Sequence, residues 1–342
     1  MPDHRRRRGN LMTTTTIAMP NVATLLAPIR PLTGFHEMQR MMQLRQWRQS
    51  VATRTPAKMT DEARRIYNAS VRMPLPIEPQ ALTLLQQSAA SGLTGTNSIT
   101  WLQGPPGAGK TDLAREIAAQ YTDPNSVGQP ASPSTTNINY AHIPIAEIAG
   151  QGDQIAGLAR SGCTWFGLNP GTTGNASTNI LAQAMYNCDT QVLIIDDLQS
   201  IDHLHKDIDA LRVLLNKVPA HVILISLSPD YVRKASVAGA LIQGTGPAEQ
   251  ILARTTILRL AGSSHLSEAD MRTAIIDALA QFKLRHKCRQ ARAIAQWFVD
   301  HRDQDGLTTL PLIFRILRGL AVTAVGSSET ITLQDVLRTR IK

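Results

Sequence analysis

The sequence predicts an α/β fold in which helices flank a central parallel sheet and further helices precede and follow it. Three observations carry that prediction. The β-rich run SITWLQ (98–103) enters a glycine-rich loop, GPPGAGKT (104–111), and a helical stretch leaves it. Two continuous apolar runs, QVLIIDDL (191–198) and HVILISLS (221–228), have the composition of strands buried on both faces. From Ser267 onward every periodic segment is helical.

In chain order, residues 1–30 combine an Arg run with many Thr and Pro and are expected to form a disordered basic arm. The pattern FHEMQRMMQLRQWRQSV (35–51) predicts a helix with Met38, Met41, Met42, Leu44 and Trp47 on broad apolar faces, decorated by Arg40, Arg45 and Arg48. A second helix is expected over 61–71, before the proline-rich MPLPIEP (73–79), and a third over 80–91. After the loop, TDLAREIAAQY (111–121) continues as a helix with Leu113, Ile117 and Ala118 on one side. The polar stretch 122–139 reads as a surface loop, INYAHIPI (138–145) as the second strand and 148–159 as a helix. A long polar excursion, CTWFGLNPGTTGNAST (163–178), precedes a helix ending near Tyr186. A helix over 206–216 separates the two buried strands, and ARTTILRL (253–260) supplies a last strand. In the helical tail, Ser267 is the expected N-cap of SEADMRTAIIDALAQF, and ARAIAQWFVDHR and LPLIFRILRGLAVTAV follow. The division expected is an arm (1–30), an N-terminal helical extension (31–92), an α/β nucleotide-binding core (93–262) and a small C-terminal helical lid (263–342).

The formal net charge is +9 and the pI about 9.8. Such an excess favours a polyanionic partner, nucleic acid or an acidic membrane surface; a basic protein without either role is the plainer alternative. Cys163, Cys188 and Cys288 are scattered, without CxxC spacing, which fits a reducing cytoplasm and argues against a disulfide framework or a zinc site. No apolar run approaches the length that spans a bilayer. The opening MPDHRRRRGNLMTTTT has no apolar stretch behind its basic residues and so is not a secretory signal; Met12 offers a second start.

The chemistry centres on the glycine-rich loop. Gly104, Gly109, Lys110 and Thr111 match GxxxxGK[ST]. Glycines let backbone N–H groups turn inward around phosphates, and the following helix presents its N-terminus to the anion. Lys110 is placed to reach the β- and γ-phosphates and Thr111 to ligate Mg²⁺. The nucleotide contacts expected therefore run through Gly104, Pro105, Pro106, Gly107, Ala108, Gly109, Lys110, Thr111 and Asp112. Asp196 and Asp197 close an apolar strand, where one carboxylate suits Mg²⁺ and the next suits polarising a water. Ser226 and Ser228 end the next strand, as γ-phosphate contacts or as simple strand-end caps. Arg254 is a candidate arginine finger acting on a neighbour's nucleotide, and Arg315 and Arg318 are candidates for one acting in cis. KLRHKCRQAR (283–292) carries five positive charges and no acid. Through Lys283, Arg285, Lys287 and Arg289 it suits contact with a phosphate backbone, the alternative being a solvated charged face.

Together, the GPPGAGKT loop, the VLIIDD strand, the polar-ended HVILISLS strand, the arginine before a late strand and the helical tail resemble an AAA+ ATPase. Within that class the chain is similar to the transposon-encoded TniB/TnsC group, relatives of MuB and IstB. The similarity rests on RRIYNASVRMPLPIEPQALTLLQQ (64–87), IDDLQSIDHLHKDIDALRVLLNKVPAHVILISLS (195–228) and AEQILARTTILRL (248–260), and it spans residues 63–324. The resemblance implies an AAA+ P-loop NTPase that binds ATP and Mg²⁺, with Asp197, Arg254 and Lys110 in catalytic roles and Ser226 and Arg315 near the nucleotide. It also implies assembly as a ring or helical filament on double-stranded DNA, and recruitment of a transposase, with a TniQ-like targeting protein upstream. Asp197 stands where most such proteins have Glu, which implies slow hydrolysis, and RTTILRL stands where the group has RF. The competing readings are a helicase loader or other protein remodeller, and a nucleotide-exchange signalling switch.

Overall fold

The computed structural model describes residues 34–71, 83, 87, 99–120, 142–149, 155–201, 207–244, 246–260, 267–301 and 310–339. The expected arm over 1–30 and loop over 122–139 lie outside them, as does most of the expected helix over 80–91.

Two helices lead, α1 (Gly34–Val51) and α2 (Asp61–Ser70). The Thr60 hydroxyl opens α2 by accepting from the Ala63 N–H. The α/β core then runs β1 (Ile99–Gln103), α3 (Lys110–Gln120), β2 (Ile145–Ala149), α4 (Ile155–Trp165), α5 (Gly174–Asn187), β3 (Val192–Asp196), α6 (Asp207–Lys217), β4 (His221–Ser226), α7 (Val237–Gln243), α8 (Pro247–Leu252) and β5 (Thr255–Arg259). The tail is helical: α9 (Glu268–Gln281), α10 (Ala291–Asp300), α11 (Leu310–Ala324) and α12 (Leu333–Thr339). Ser267 caps α9 as expected, accepting from the Asp270 N–H.

All four strand pairings are parallel, in the order β2-β3-β4-β1-β5. Parallel neighbours need crossovers, so helices cover both faces, and the apolar runs at β3 and β4 are buried on both sides. On one face Trp101, Ile148, Leu193, Ile195 and Leu224 pack with Leu158 of α4, Leu181 of α5 and Leu211 of α6. On the other, Leu102, Ile145, Ile194 and Ile225 pack with Leu113 and Ile117 of α3 and Met42 of α1. A third core unites Trp47 and Val51 of α1 and Ile66 and Tyr67 of α2 with Met271, Phe298, Phe314 and Val336 of the tail helices. Leader and tail thus bury their apolar faces in each other, although more than 200 residues separate them in sequence.

Two expectations need correction. The second strand begins at Ile145 and does not occupy 138–145; residues 142–144 precede it as irregular chain. Pro144 has no N–H for the ladder, and its carbonyl instead accepts from Gln191 and Val192 (2.9 and 3.0 Å). The IAEIA run, expected to lead into a helix from Ile148, is a strand because it pairs with Val192–Asp196. The helix that follows is α4, which continues through Trp165 and leaves only a short connection before α5. Of the long excursion expected over 163–178, only 166–173 lies outside the two helices.

Candidate nucleotide site

The site lies where β1, β4 and β3 end side by side. Backbone bonds stitch these ends together: Ser228 N–H donates to the Gly104 carbonyl (3.1 Å), and Leu227 N–H donates to the Gln199 carboxamide oxygen (3.1 Å). In an open parallel sheet, ligands bind beyond the carboxyl ends of the strands.

The loop leaving β1 is shaped by glycine. Gly107 and Gly109 have φ of 73° and 76°, left-handed values that side chains with a Cβ resist. A Cβ at Gly104 would stand 2.9 Å from the Leu260 carbonyl oxygen, so the chain passes there only without a side chain. The loop delivers Lys110 and Thr111 at the start of α3. The Lys110 ammonium turns back to donate to the Gly104 and Pro105 carbonyls (2.8 and 2.9 Å). Burial pushes its pKa below the usual lysine range, opposed by the charges of Asp196 and Asp197.

The Thr111 hydroxyl donates to Asp196 Oδ2 at 2.6 Å, joining the loop to the end of β3 across the tip of β4. The other Asp196 oxygen accepts from the Asp197 N–H (2.8 Å). Asp197 itself sits in the left-handed region (φ 58°), which swings its carboxylate out of the strand direction. There Oδ1 accepts from the Gln199 carboxamide at 2.6 Å. Gln199 was not among the residues singled out in the sequence. Its amide bridges Asp197 to the Leu227 N–H at the end of β4, and only the fold shows that a glutamine two residues past the acids spans that gap.

Glycine-lined phosphate loop, paired acids and parallel sheet point in one direction. Residues 93–230 match the family described as the AAA domain. The fold is that of an AAA+ P-loop NTPase. The ORC1 protein of Aeropyrum pernix, solved in complex with DNA, superposes with a TM-score of 0.53 at 13% identity, over 80% of this chain and 66% of that one. This chain therefore spans just under two thirds of the archaeal protein. Domain III of the Thermotoga maritima replication initiation protein DnaA is a looser match: TM-score 0.46, 11% identity, 79% of this chain and 98% of that one. No curated protein sequence matches the chain.

Within this AAA+ fold the remaining candidates separate. Ser226 is buried, and its hydroxyl accepts from the Trp101 indole (2.9 Å) and donates to the Leu227 carbonyl (2.9 Å); it faces the core and is not brought to the loop. Ser228 meets the loop through its backbone alone in the bond to Gly104. Arg254 precedes β5, whose Thr255 pairs with Ile99 at the start of β1, while the loop follows Gln103 at the other end. It stands at the opposite end of the strands from its own phosphate loop, half-buried, its pKa lowered by burial and by nearby Arg212. Of the cis pair on α11, Arg315 is exposed and Arg318 is half-buried. Burial lowers the Arg318 pKa, the Asp112 carboxylate opposes that, and Arg315 adds to it. Of the two, Arg318 is the one whose surroundings include the Asp112 carboxylate of α3. Lys283 is turned away from solvent phosphates: its ammonium donates to the Ala52 carbonyl (2.5 Å) and lies 5.3 Å from the Tyr67 ring centre. Arg285, Lys287 and Arg289 are exposed together. Among the described residues no helix is long and apolar enough to cross a membrane.

Proposed function

We propose that this chain is an ATP-dependent DNA-binding AAA+ ATPase that oligomerises on duplex DNA, selects a target site and recruits or activates a transposase. The observation that carries the ATPase half is the Thr111 hydroxyl on Asp196 at 2.6 Å, with Lys110 and Asp197 beside it. The TniB/TnsC likeness of residues 64–87, 195–228 and 248–260 supports the transposition half, with a TniQ-like protein as the targeting partner. The net charge of +9 favours the DNA partner.

In this reading the N–H groups of the loop and of the first turn of α3 bind the phosphates, and Lys110 exchanges the Gly104 and Pro105 carbonyls for phosphate oxygens. The Thr111 hydroxyl and the Asp196 carboxylate are hard oxygen donors already in contact, and they suit Mg²⁺. When bound, Mg²⁺ neutralises charge that develops on the transferred phosphate. Asp197 accepts the proton of the attacking water, and Gln199 holds that carboxylate in place. Arg315 or its neighbour Arg318 on α11 senses the nucleotide in cis, Arg318 being the more buried of the two. Arg254, remote from its own loop, serves the nucleotide of a neighbouring subunit. That neighbour need makes assembly and hydrolysis interdependent.

The test is fluorescence anisotropy of a labelled duplex with a nonhydrolysable ATP analogue, with ADP, and without nucleotide. Tight, sequence-independent binding in the ATP state that collapses as salt rises is expected. Absence of duplex affinity at low salt in the ATP state defeats the DNA reading.

Asp197→Asn is expected to lower kcat for ATP by about a hundredfold or more while ATP affinity holds, and to lengthen assemblies seen by electron microscopy. Unaltered turnover removes the water-activating role. Gln199→Glu keeps an acceptor for the Leu227 N–H but sets a carboxylate against Asp197. It should lower kcat about tenfold with KM unchanged, because the facing charge displaces the Asp197 carboxylate from its place. An unchanged kcat would show that Gln199 plays no part in holding Asp197 for the reaction.

A further inference from the structure

We infer that a cleft in the helical lid, away from the nucleotide site, seats the sugar–phosphate backbone of duplex DNA. This rests on the DNA-binding reading above and assigns it a place. The cleft has a volume of about 650 Å³ and lies between two segments far apart in sequence, 285–290 and 330–332. Arg285, Lys287 and Arg289, all exposed, line the first wall together with His286, and Thr330 and Thr332 belong to the second. No acidic side chain lines it.

The walls are fixed to each other. His286 N–H donates to the Glu329 carbonyl (3.0 Å), the Cys288 thiol to the Ile331 carbonyl (3.2 Å), and Leu333 N–H to the Gln290 carboxamide (2.8 Å). Nearby Asp335 is occupied by the Thr332 N–H and hydroxyl (2.8 and 2.7 Å). The Arg285 guanidinium lies 3.6 Å from Asp61 and 3.9 Å from Glu329, which steadies its stem without neutralising Lys287 or Arg289. A cationic concavity held by main-chain bonds loses little order on taking an anion.

The lining selects the kind of nucleic acid. Sites for single strands place aromatic rings under unstacked bases. Neither Phe, Tyr nor Trp lines this cleft, and the Gln290 carboxamide oxygen is taken by the Leu333 N–H, so its exposed cations are matched to phosphates more than to bases. The prediction from KLRHKCRQAR is thereby narrowed. Lys283 belongs to the contact between lid and leader, and the Thr330–Thr332 wall, which charge patterning does not mark, joins the surface.

The experiment uses the full chain with the ATP analogue and a labelled duplex of arbitrary sequence, titrated across a range of salt. The double variant Lys287→Glu/Arg289→Glu changes only exposed side chains, and its thermal melting and DNA-free ATP hydrolysis should match the parent. Its duplex affinity is expected to fall about tenfold or more. The log–log salt slope should become shallower by about two, since each phosphate contact contributes roughly 0.9. Lys283→Ala should leave duplex affinity unchanged. If the parent binds no duplex in any nucleotide state, the DNA reading itself fails. If the parent binds and the double variant binds equally well with the same slope, the cleft is not the seat. If free pyrophosphate or a single strand displaces the duplex at equal concentration of phosphate, the assignment to duplex backbone is overturned.

Discussion

Lys110→Ala is expected to weaken ATP binding by about a hundredfold or more, measured by isothermal titration or by anisotropy of a fluorescent nucleotide. A buried ammonium that donates to two carbonyls is already oriented and partly desolvated, so it contributes strongly to any anion replacing those carbonyls. Its lowered pKa has the same origin. Phosphate binding reverses that shift, so proton uptake should accompany ATP binding wherever the free protein holds Lys110 partly neutral. Titration in buffers of different ionisation enthalpy detects it. The Thr111–Asp196 bond and the glycine backbone survive the substitution, so circular dichroism and melting should change little. Lys110→Arg is the sharper control: it keeps charge but its planar fork does not fit a space shaped for a point charge, and it should not restore affinity. Binding within about threefold of the parent would move the phosphate site elsewhere.

The parts of this site that the sequence reveals are those set by local chemistry. The loop needs glycine at Gly107 and Gly109 because φ there is positive, and the buried strand ends at Asp196 because the apolar run ends. For Ser226 the sequence left two roles open, for a different reason. Its position at a strand end says nothing about which face its hydroxyl takes, and pairing with β1 turns it toward Trp101. That Arg318 is half-buried and Arg315 exposed likewise depends on how α11 packs, which their spacing does not decide. Gln199 escapes a linear reading because its second partner, Leu227, lies on another strand. In the fold, β1, β3, β4 and β5 were legible from unbroken apolar or β-branched runs. IAEIA was not, since Ala and Glu favour helix; the β3 neighbour, the Arg115–Glu147 ion pair from α3 and the burial of Ile145 and Ile148 in the sheet cores hold it extended.

The same limit hid the union of leader and tail. Sequence periodicity shows that α1 and α2 have apolar faces but does not say what covers them. In the structure α1 bridges two bodies. Met42 enters the sheet core and Arg45 bonds Glu116 on the phosphate-loop helix (2.7 Å), while Trp47 and Val51 enter the lid core. The leader thus contacts the phosphate-loop helix directly through Arg45.

Within the leader–lid core sits a buried ion pair, and breaking it should give a large loss of stability. Arg64 on α2 is wholly buried; both its terminal nitrogens bond Glu329, one of them at 2.8 Å, and one also bonds Asp61 (2.6 Å). Gly326 N–H adds a bond to the same carboxylate (2.9 Å). Arg64→Ala leaves Glu329 buried without its cation and should cost about 3–5 kcal/mol, seen as a lowered midpoint in urea or heat. Glu329→Gln should cost a similar amount, with the backbone at φ 54° left as it is. Replacing both, Arg64→Met with Glu329→Leu, removes the charges together and should recover most of the loss. Acid should mimic the single variants. The Arg64 guanidinium, aided by the Gly326 and Arg285 N–H groups and opposed by burial, holds the Glu329 carboxyl down at about 2. An unfolded glutamate titrates near 4.3, so the contribution is complete above about pH 4.3 and is lost as pH falls toward 2. The double apolar variant should therefore show a flatter stability profile across that window than the parent. Because α1 both packs in this leader–lid core and bonds α3 through Arg45, the single variants should also loosen ATP binding at neutral pH, where the fold still holds. Full ATP affinity in a protein destabilised by several kcal/mol would show that the ion pair serves stability alone.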